Sequence, residues 1–208
     1  MARNFNGTSA RIHASSAVVT TTPYTMGCWF RTTNMTQLGA LLSLTSVSVS
    51  TQYSTLFFRG DVASDPIDIL IEAGGAQNVT RSTTGCTSGK WHHACGVFSA
   101  ANSRTVYLDG GSSATNTTSL SPTINQTEIG AWRSGFWFAG DIAEVGVWNV
   151  ALTAAEVASL AKGVSPALVR PQSLVTCLPL IRDVIDVRAA AGFTDVNTTA
   201  ANHTRIYL

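Results

Sequence analysis

The stretch Gly89-Lys90-Trp91-His92-His93-Ala94-Cys95-Gly96-Val97-Phe98 holds two adjacent histidines and, two residues on, a cysteine. Only four histidines and four cysteines occur in the chain, so a large share of its reactive side chains lies here. On a strand, His92 and His93 point to opposite faces and cannot easily chelate one ion together. His93 and Cys95 share a face and could bind zinc, but a zinc site needs about two more ligands. His13, His203 and the other cysteines are the candidates for those places. The histidines are therefore read as satisfied sheet residues. Further on, Val106-Tyr107-Leu108 runs into Asp109-Gly110-Gly111, a good hairpin turn, because Asp-Gly tolerates the positive φ such turns require.

The 208 residues suit one domain with a substantial core. Apolar residues make up 45% and charged residues only 12%, about half the usual charged share. In their place stand 27 Thr and 21 Ser, a composition that favours strands and turns over helices. The net charge is +1, with two lysines against eleven arginines, and no basic patch supports nucleic-acid binding. No run approaches the ~20 apolar residues that cross a bilayer, so membrane insertion is not expected. The opening Met1-Ala2-Arg3-Asn4-Phe5-Asn6-Gly7 has no secretory pattern, and the folded domain is expected to begin there. Cys28, Cys86, Cys95 and Cys177 show no C-x-x-C spacing; free buried thiols are the expectation, with a disulfide as the alternative. Asn-x-Thr sequences begin at Asn6, Asn34, Asn78, Asn116, Asn125, Asn197 and Asn202 and read as turn and edge residues of a Thr-rich β protein.

Short apolar or alternating runs predict strands over 11–13, 24–32, 38–44, 55–59, 67–72, 78–82, 91–98, 105–108, 128–129, 140–148 and 174–180. Turn residues separate them, so the fold class is all-β, a sandwich or barrel. One short helix is specified. Thr153-Ala154-Ala155-Glu156 fits a capping box, Val157, Leu160 and Ala161 form one apolar face, and Gly163 supplies a stop. Pro166 and Pro171 mark a connector, and the run from Leu174 to Leu180 is too apolar to leave the core. The domain is expected to end near residue 181, with 182–208 as an extension that wraps it or contacts a partner.

Four stretches in order resemble the concanavalin A-like, laminin G-like sandwich family. They are Arg3-Asn4-Phe5-Asn6-Gly7-Thr8-Ser9, Tyr24-Thr25-Met26-Gly27-Cys28-Trp29-Phe30, and Trp91-His92-His93-Ala94 with Val106-Tyr107-Leu108-Asp109-Gly110. The fourth runs from Gly140 through Trp148 to the helix cap of Thr153 and Glu156. The resemblance implies two antiparallel sheets in a jelly roll, with Trp29, Trp91, His92, His93, Asp109, Gly110, Gly140, Trp148, Thr153 and Glu156 as structural signature residues. It leaves function open, since lectins, glycosidases, adhesion modules and particle proteins share this fold.

No strand presents the closely spaced carboxylates that glycoside hydrolysis uses. Asp141 and Glu144, at i and i+3, are expected on opposite faces of a regular strand. No catalytic residue is assigned and enzyme activity is not expected. Asp61, Asp65 and Asp68 offer oxygen ligands within one loop-like stretch, so calcium is the candidate metal there, although their spacing fits no known calcium loop. For glycans the best stretch is Trp132-Arg133-Ser134-Gly135-Phe136-Trp137-Phe138, with Trp132, Arg133 and Trp137 as candidate contacts. The alternative has Trp137 and Phe138 capping the core and Trp132 packing at the rim. The leading functional expectation is a virion structural protein, a phage capsid decoration or tail-fibre surface protein. It would work as a homo-oligomer, a trimer, among other particle proteins and against host-surface glycans. A carbohydrate-binding module or lectin is the alternative, and a divergent glycosidase comes last.

Overall fold

A computed structural model describes residues 1–133, 135–181, 183–188 and 191–203. Fifteen strands account for most of it: β1 (Ala2–Asn6), β2 (Arg11–Ala14), β3 (Tyr24–Arg31), β4 (Leu38–Thr45), β5 (Gln52–Arg59), β6 (Pro66–Ala73), β7 (Ala76–Gly85) and β8 (Trp91–Ala100). Then follow β9 (Ser103–Leu108), β10 (Gly111–Asn116), β11 (Gln126–Ile129), β12 (Ala139–Trp148), β13 (Leu174–Leu178), β14 (Thr194–Val196) and β15 (Thr199–Ala201). Helix α1 (Ala154–Ala161) and a 3-10 turn (Pro166–Leu168) lie between β12 and β13.

The strands form two antiparallel sheets. One runs β10-β9-β8-β3-β12-β1-β15, with β13 also pairing β12; the other runs β14-β2-β11-β4-β5-β6-β7. Period-2 alternation puts one set of side chains between them. Met26, Cys28 and Phe30 of β3 meet Leu42 and Leu44 of β4, Leu56 and Phe58 of β5, and Ile67, Ile69 and Ile71 of β6 in one buried cluster. This is the jelly-roll sandwich that the motifs implied.

A second apolar cluster lies on the outer face of the β8-containing sheet. Trp148, Leu152, Val157, Leu160, Val169 and Leu174 pack there on Cys95 and Val97. Helix α1 is held on this face by the expected capping box, with Glu156 N–H donating to Thr153 Oγ1 (3.3 Å) and Thr153 N–H donating to Glu156 Oε2 (2.7 Å). At its other end Gly163, at φ +91°, lets Val164 N–H reach Ser159 O (3.1 Å) and Gly163 N–H reach Leu160 O (2.9 Å), a Schellman closure. Gly110 fits the β9–β10 turn beneath the helix, since a Cβ there would lie 2.8 Å from Ala158 Cα.

The segment after 182 supplies an edge strand to each sheet: β14 pairs β2 and β15 pairs β1. Arg3 on β1 bonds Thr198 Oγ1 (2.7 Å) and forms an ion pair with Asp195, so the segment is bound to the sandwich at both edges. Asn6 fills the turn role expected of the Asn-x-Thr sites, its Oδ1 accepting from the amides of Thr8, Ser9 and Ala10.

Candidate functional site

The histidine pair divides between the faces as expected. His93 sits opposite Trp29 on the outer side, with ring centroids 5.5 Å apart. Its burial pushes the imidazole down to about 4, against the weaker upward pull of Asp109. His92 Nε2 accepts from Thr87 N–H (2.8 Å), so its proton is on Nδ1, which donates to Asp109 Oδ2 (2.7 Å). Asp109 Oδ1 accepts from His93 N–H (2.8 Å). Burial pushes the Asp109 carboxyl up, but these hydrogen bonds outweigh it and hold it below the usual range. The pair thus locks the end of β8 to the β9–β10 turn. Trp148 is equally structural, its indole N–H donating to Val169 O (2.7 Å). Cys28, Cys86 and Cys95 are free thiols, and burial pushes the Cys28 thiol up to about 12.

The aspartates considered for calcium do not gather. Asp68 lies on β6 rather than in a loop, fully buried, with Oδ2 accepting from Arg59 Nη1 and Arg81 Nη2 (2.8 Å each) and Oδ1 from Arg81 Nε (2.9 Å). Arg59 also grips Asp61 through two bonds of 2.8 and 2.9 Å, which hold the Asp61 carboxyl below its usual range. Asp65 adopts a left-handed turn conformation (φ +53°), and its carbonyl accepts from Cys86 N–H (3.0 Å). Arginines already supply the positive charge that an ion would bring. Among the described residues, no group of three or more His, Cys, Asp or Glu side chains could hold a metal ion.

Asp141 and Glu144 also depart from expectation. A β-bulge between Ala143 and Gly146 inserts one residue into β12, with Glu144 at φ +49°. Ile142 and Val145, three apart, consequently both belong to the core, and Asp141 and Glu144 share the outer face. Asp141 is held there by Arg31 and Asn4, while Glu144 approaches His203, with its Oε1 4.0 Å from the imidazole Nδ1.

The aromatic stretch around Trp132 lies on the outer face of the β5-containing sheet. Backbone bonds between Trp132 and Gly135 (3.0 and 2.9 Å) close a tight turn, with Arg133 and Phe136 both in the left-handed region (φ +52° and +47°). A bulky residue in that region is uncommon and needs surrounding contacts to hold it. Those contacts are visible. Arg133 N–H donates to Glu128 Oε2 (2.5 Å), its guanidinium bonds Ser46 O, and Arg11 pairs with Glu128 (3.1 Å). The Trp132 ring lies 4.6 Å from Tyr53, 6.4 Å from Phe57 and 5.0 Å from Phe136. Phe136 is 45% exposed and Trp132 half-buried. Among the described residues, Trp132 Nε1 and Thr55 Oγ1 have no hydrogen-bond partner, and both atoms are buried beneath this surface.

Of the three residues expected to touch a glycan, Trp132 belongs to this platform. Arg133 supports the turn from below, its guanidinium bound to backbone. Trp137 is half-buried and makes none of the ring contacts of the cluster, whereas Phe138 enters the core as the alternative reading had it. Ser134 lies outside the described residues. Tyr53 and Phe57 were missed by the sequence reading. On β5 they alternate with the inward Leu56 and Phe58, and a strand aromatic on both faces carries no mark of which face is outer.

The superfamily's sequence profile matches residues 6–158, described as concanavalin A-like lectin/glucanases. The chain belongs to the concanavalin A-like lectin/glucanases superfamily. Among curated proteins none matches it in sequence. Solved structures share the fold at low identity. A native heptameric SAP-like pentraxin from Limulus polyphemus is 15% identical, with a TM-score of 0.67 over 94% of this chain and 91% of its own. A putative carbohydrate binding protein from Bacteroides ovatus is 18% identical, with a TM-score of 0.70 over 95% of this chain and 58% of its own. Domain 4 of a GH43 extracellular arabinanase from Geobacillus stearothermophilus, in complex with arabinotriose, is 18% identical, with a TM-score of 0.66 over 77% and 76%. As a member of this superfamily the chain carries a fold without a helix long and apolar enough to cross a membrane, among the described residues.

Proposed function

We propose that this chain is a non-enzymatic glycan-binding module whose platform of Trp132 and Phe136, backed by the buried Phe57, stacks against sugar rings. The observation that carries the reading is the aromatic cluster pinned on an outer sheet face, with Phe136 exposed and Trp132 half-buried. Pyranose and furanose rings present C–H faces that stack on aromatic rings, which suits such a platform. The likeness to a carbohydrate binding protein and to a domain carrying arabinotriose supports the same class. Asp141 and Glu144, the carboxylate pair brought to one face, are engaged by Arg31, Asn4 and His203, which supports binding rather than hydrolysis.

The test is calorimetric titration with arabino-, xylo-, cello- and galacto-oligosaccharides. Trp132→Ala and Phe136→Ala should each weaken the best ligand at least about tenfold, the ~1–3 kcal/mol scale of a lost aromatic contact. Unchanged affinity in both variants at unchanged fold would sink the assignment.

For its setting, the same proposal places the module on the surface of a phage-like particle as a homo-oligomer, a trimer. Apolar side chains around the C-terminal segment support a partner there: Leu168 is 74% exposed, Ile185 61% and Val187 55%. Light scattering on the purified protein should return a closed oligomer; a monomer, alone and with particle proteins, would remove this setting without touching the glycan reading.

A further inference from the structure

The eight-stranded sheet carries a polar groove, on the other sheet from the aromatic platform. A cavity of about 470 Å³ opens between the ends of β1, β3 and β12, lined by Asn4, Asn6, Arg31, Thr33, Asn34 and Asp141. Its volume falls within the range of small-molecule sites.

The walls are built in a fixed order. Arg31 donates through Nε (3.0 Å) and Nη2 (2.5 Å) to Asp141 Oδ2, and its guanidinium lies over the Trp91 ring at 5.2 Å. Asp141 Oδ1 accepts from Asn4 Nδ2 (2.8 Å). A carboxylate only accepts, so the Asn4 amide nitrogen must face it and the amide oxygen is turned away. Asn34 Oδ1 accepts from Thr36 N–H and Oγ1 (3.3 and 3.0 Å), which turns its amide nitrogen away in the same manner. Arg31 Nη1, Asn4 Oδ1 and Asn34 Nδ2 are left without protein partners among the described residues. Gly140, at φ +151°, also lines the groove, and a Cβ there would stand 2.3 Å from Arg31 O, so the backbone packs too closely for a side chain.

The charges decide the ligand class. Arg31 and Asp141 cancel each other at contact distance, and the other polar lining side chains are amides and hydroxyls, beside Phe5 and Ala139. An anion would meet Asp141 as well as Arg31, and a cation the reverse. What remains are donors and an acceptor around one small cavity, which match adjacent hydroxyls, since each hydroxyl both donates and accepts. We infer that this groove is a second binding site, for a single neutral polyhydroxylated ring. It lies on the opposite sheet from Trp132, so its occupancy is independent of the platform and would make the module bivalent.

Heteronuclear NMR titration of the full chain with arabinose, xylose, glucose and galactose tests this, with glucuronate and inorganic phosphate as charged probes. The Arg31 Nε–H and Trp91 indole N–H signals report the groove, and the Trp132 indole N–H reports the platform. One neutral sugar should shift the groove signals saturably. Asn34→Ala should weaken that binding several-fold and Arg31→Lys at least about tenfold, the scale set by losing a paired, forked donor, whereas Trp132→Ala leaves it unchanged. The inference is overturned if no neutral sugar moves the groove signals, if a charged probe binds there more tightly, or if Trp132→Ala abolishes the shift. If the groove responds and the platform signal is silent to every oligosaccharide, the platform reading fails and this one stands.

Discussion

The two sheets treat their outer faces differently. On the β8-containing sheet, Trp148 is sealed under helix α1 and the 165–174 connector, with its indole N–H bonded to Val169 O. On the β5-containing sheet, Trp132 lies against Tyr53 and Phe57 under no helix, and its indole N–H has no partner. Both are large aromatics on a sheet's outer side, yet one completes a core and the other forms a surface. The difference is what covers them, and satisfaction of the indole tracks it. A tryptophan sealed into the fold has its polar atom paired internally, whereas one that forms a surface offers its ring.

The sharpest way to break this contrast is truncation of each ring. Trp148→Ala should cost about 3–5 kcal/mol, as for other large buried aromatics, read as a fall in the urea midpoint. Trp132→Ala should cost only on the order of 1–1.5 kcal/mol of ring pairing. Equal losses would show that both tryptophans are core.

The buried face also carries a pH signature. His93 is neutral in the fold because burial lowers it from 6.5 to about 4. Unfolded chains therefore bind an extra proton between those values. The contribution is fully present above about pH 6.5 and is lost on acidification towards about pH 4, at up to about 1.4 kcal/mol per pH unit. His93→Gln should flatten the stability–pH curve in that window; an unchanged slope would contradict the burial argument.

A smaller effect separates the helix from the sheet it covers. Thr153→Ala removes the cap hydroxyl that accepts from Glu156 N–H and should cost ~1 kcal/mol in the same denaturation assay. A loss as large as that of Trp148→Ala would mean that the cap, and not the apolar contact, holds α1 down.

Legibility in the sequence follows the same division. Helix α1, its cap, its glycine stop and the Asp109-Gly110 turn were readable because each is fixed by residues within a few positions of one another. So were most strands whose apolar residues alternate. β10 (GSSATN), β14 (TDV) and β15 (TAA) were missed because they are mostly polar or exposed edges, defined by their partners rather than by a pattern. The bulge at Glu144 has no local signature either, and it reversed the face of a carboxylate. At the candidate site, Trp132 was legible as an aromatic beside a glycine-containing bend, while Tyr53 and Phe57, some eighty residues earlier, join it only through the sheet.

The most direct measurement is the response of the two indole N–H resonances, Trp132 and Trp148, to a binding oligosaccharide. Trp132 should move as a sugar ring stacks beside its half-buried indole, with Trp148 unmoved because it is sealed in the fold and Val169 O holds its N–H. Movement of Trp148 with Trp132 silent, for a sugar that binds, would contradict the placement of the glycan site on the open sheet.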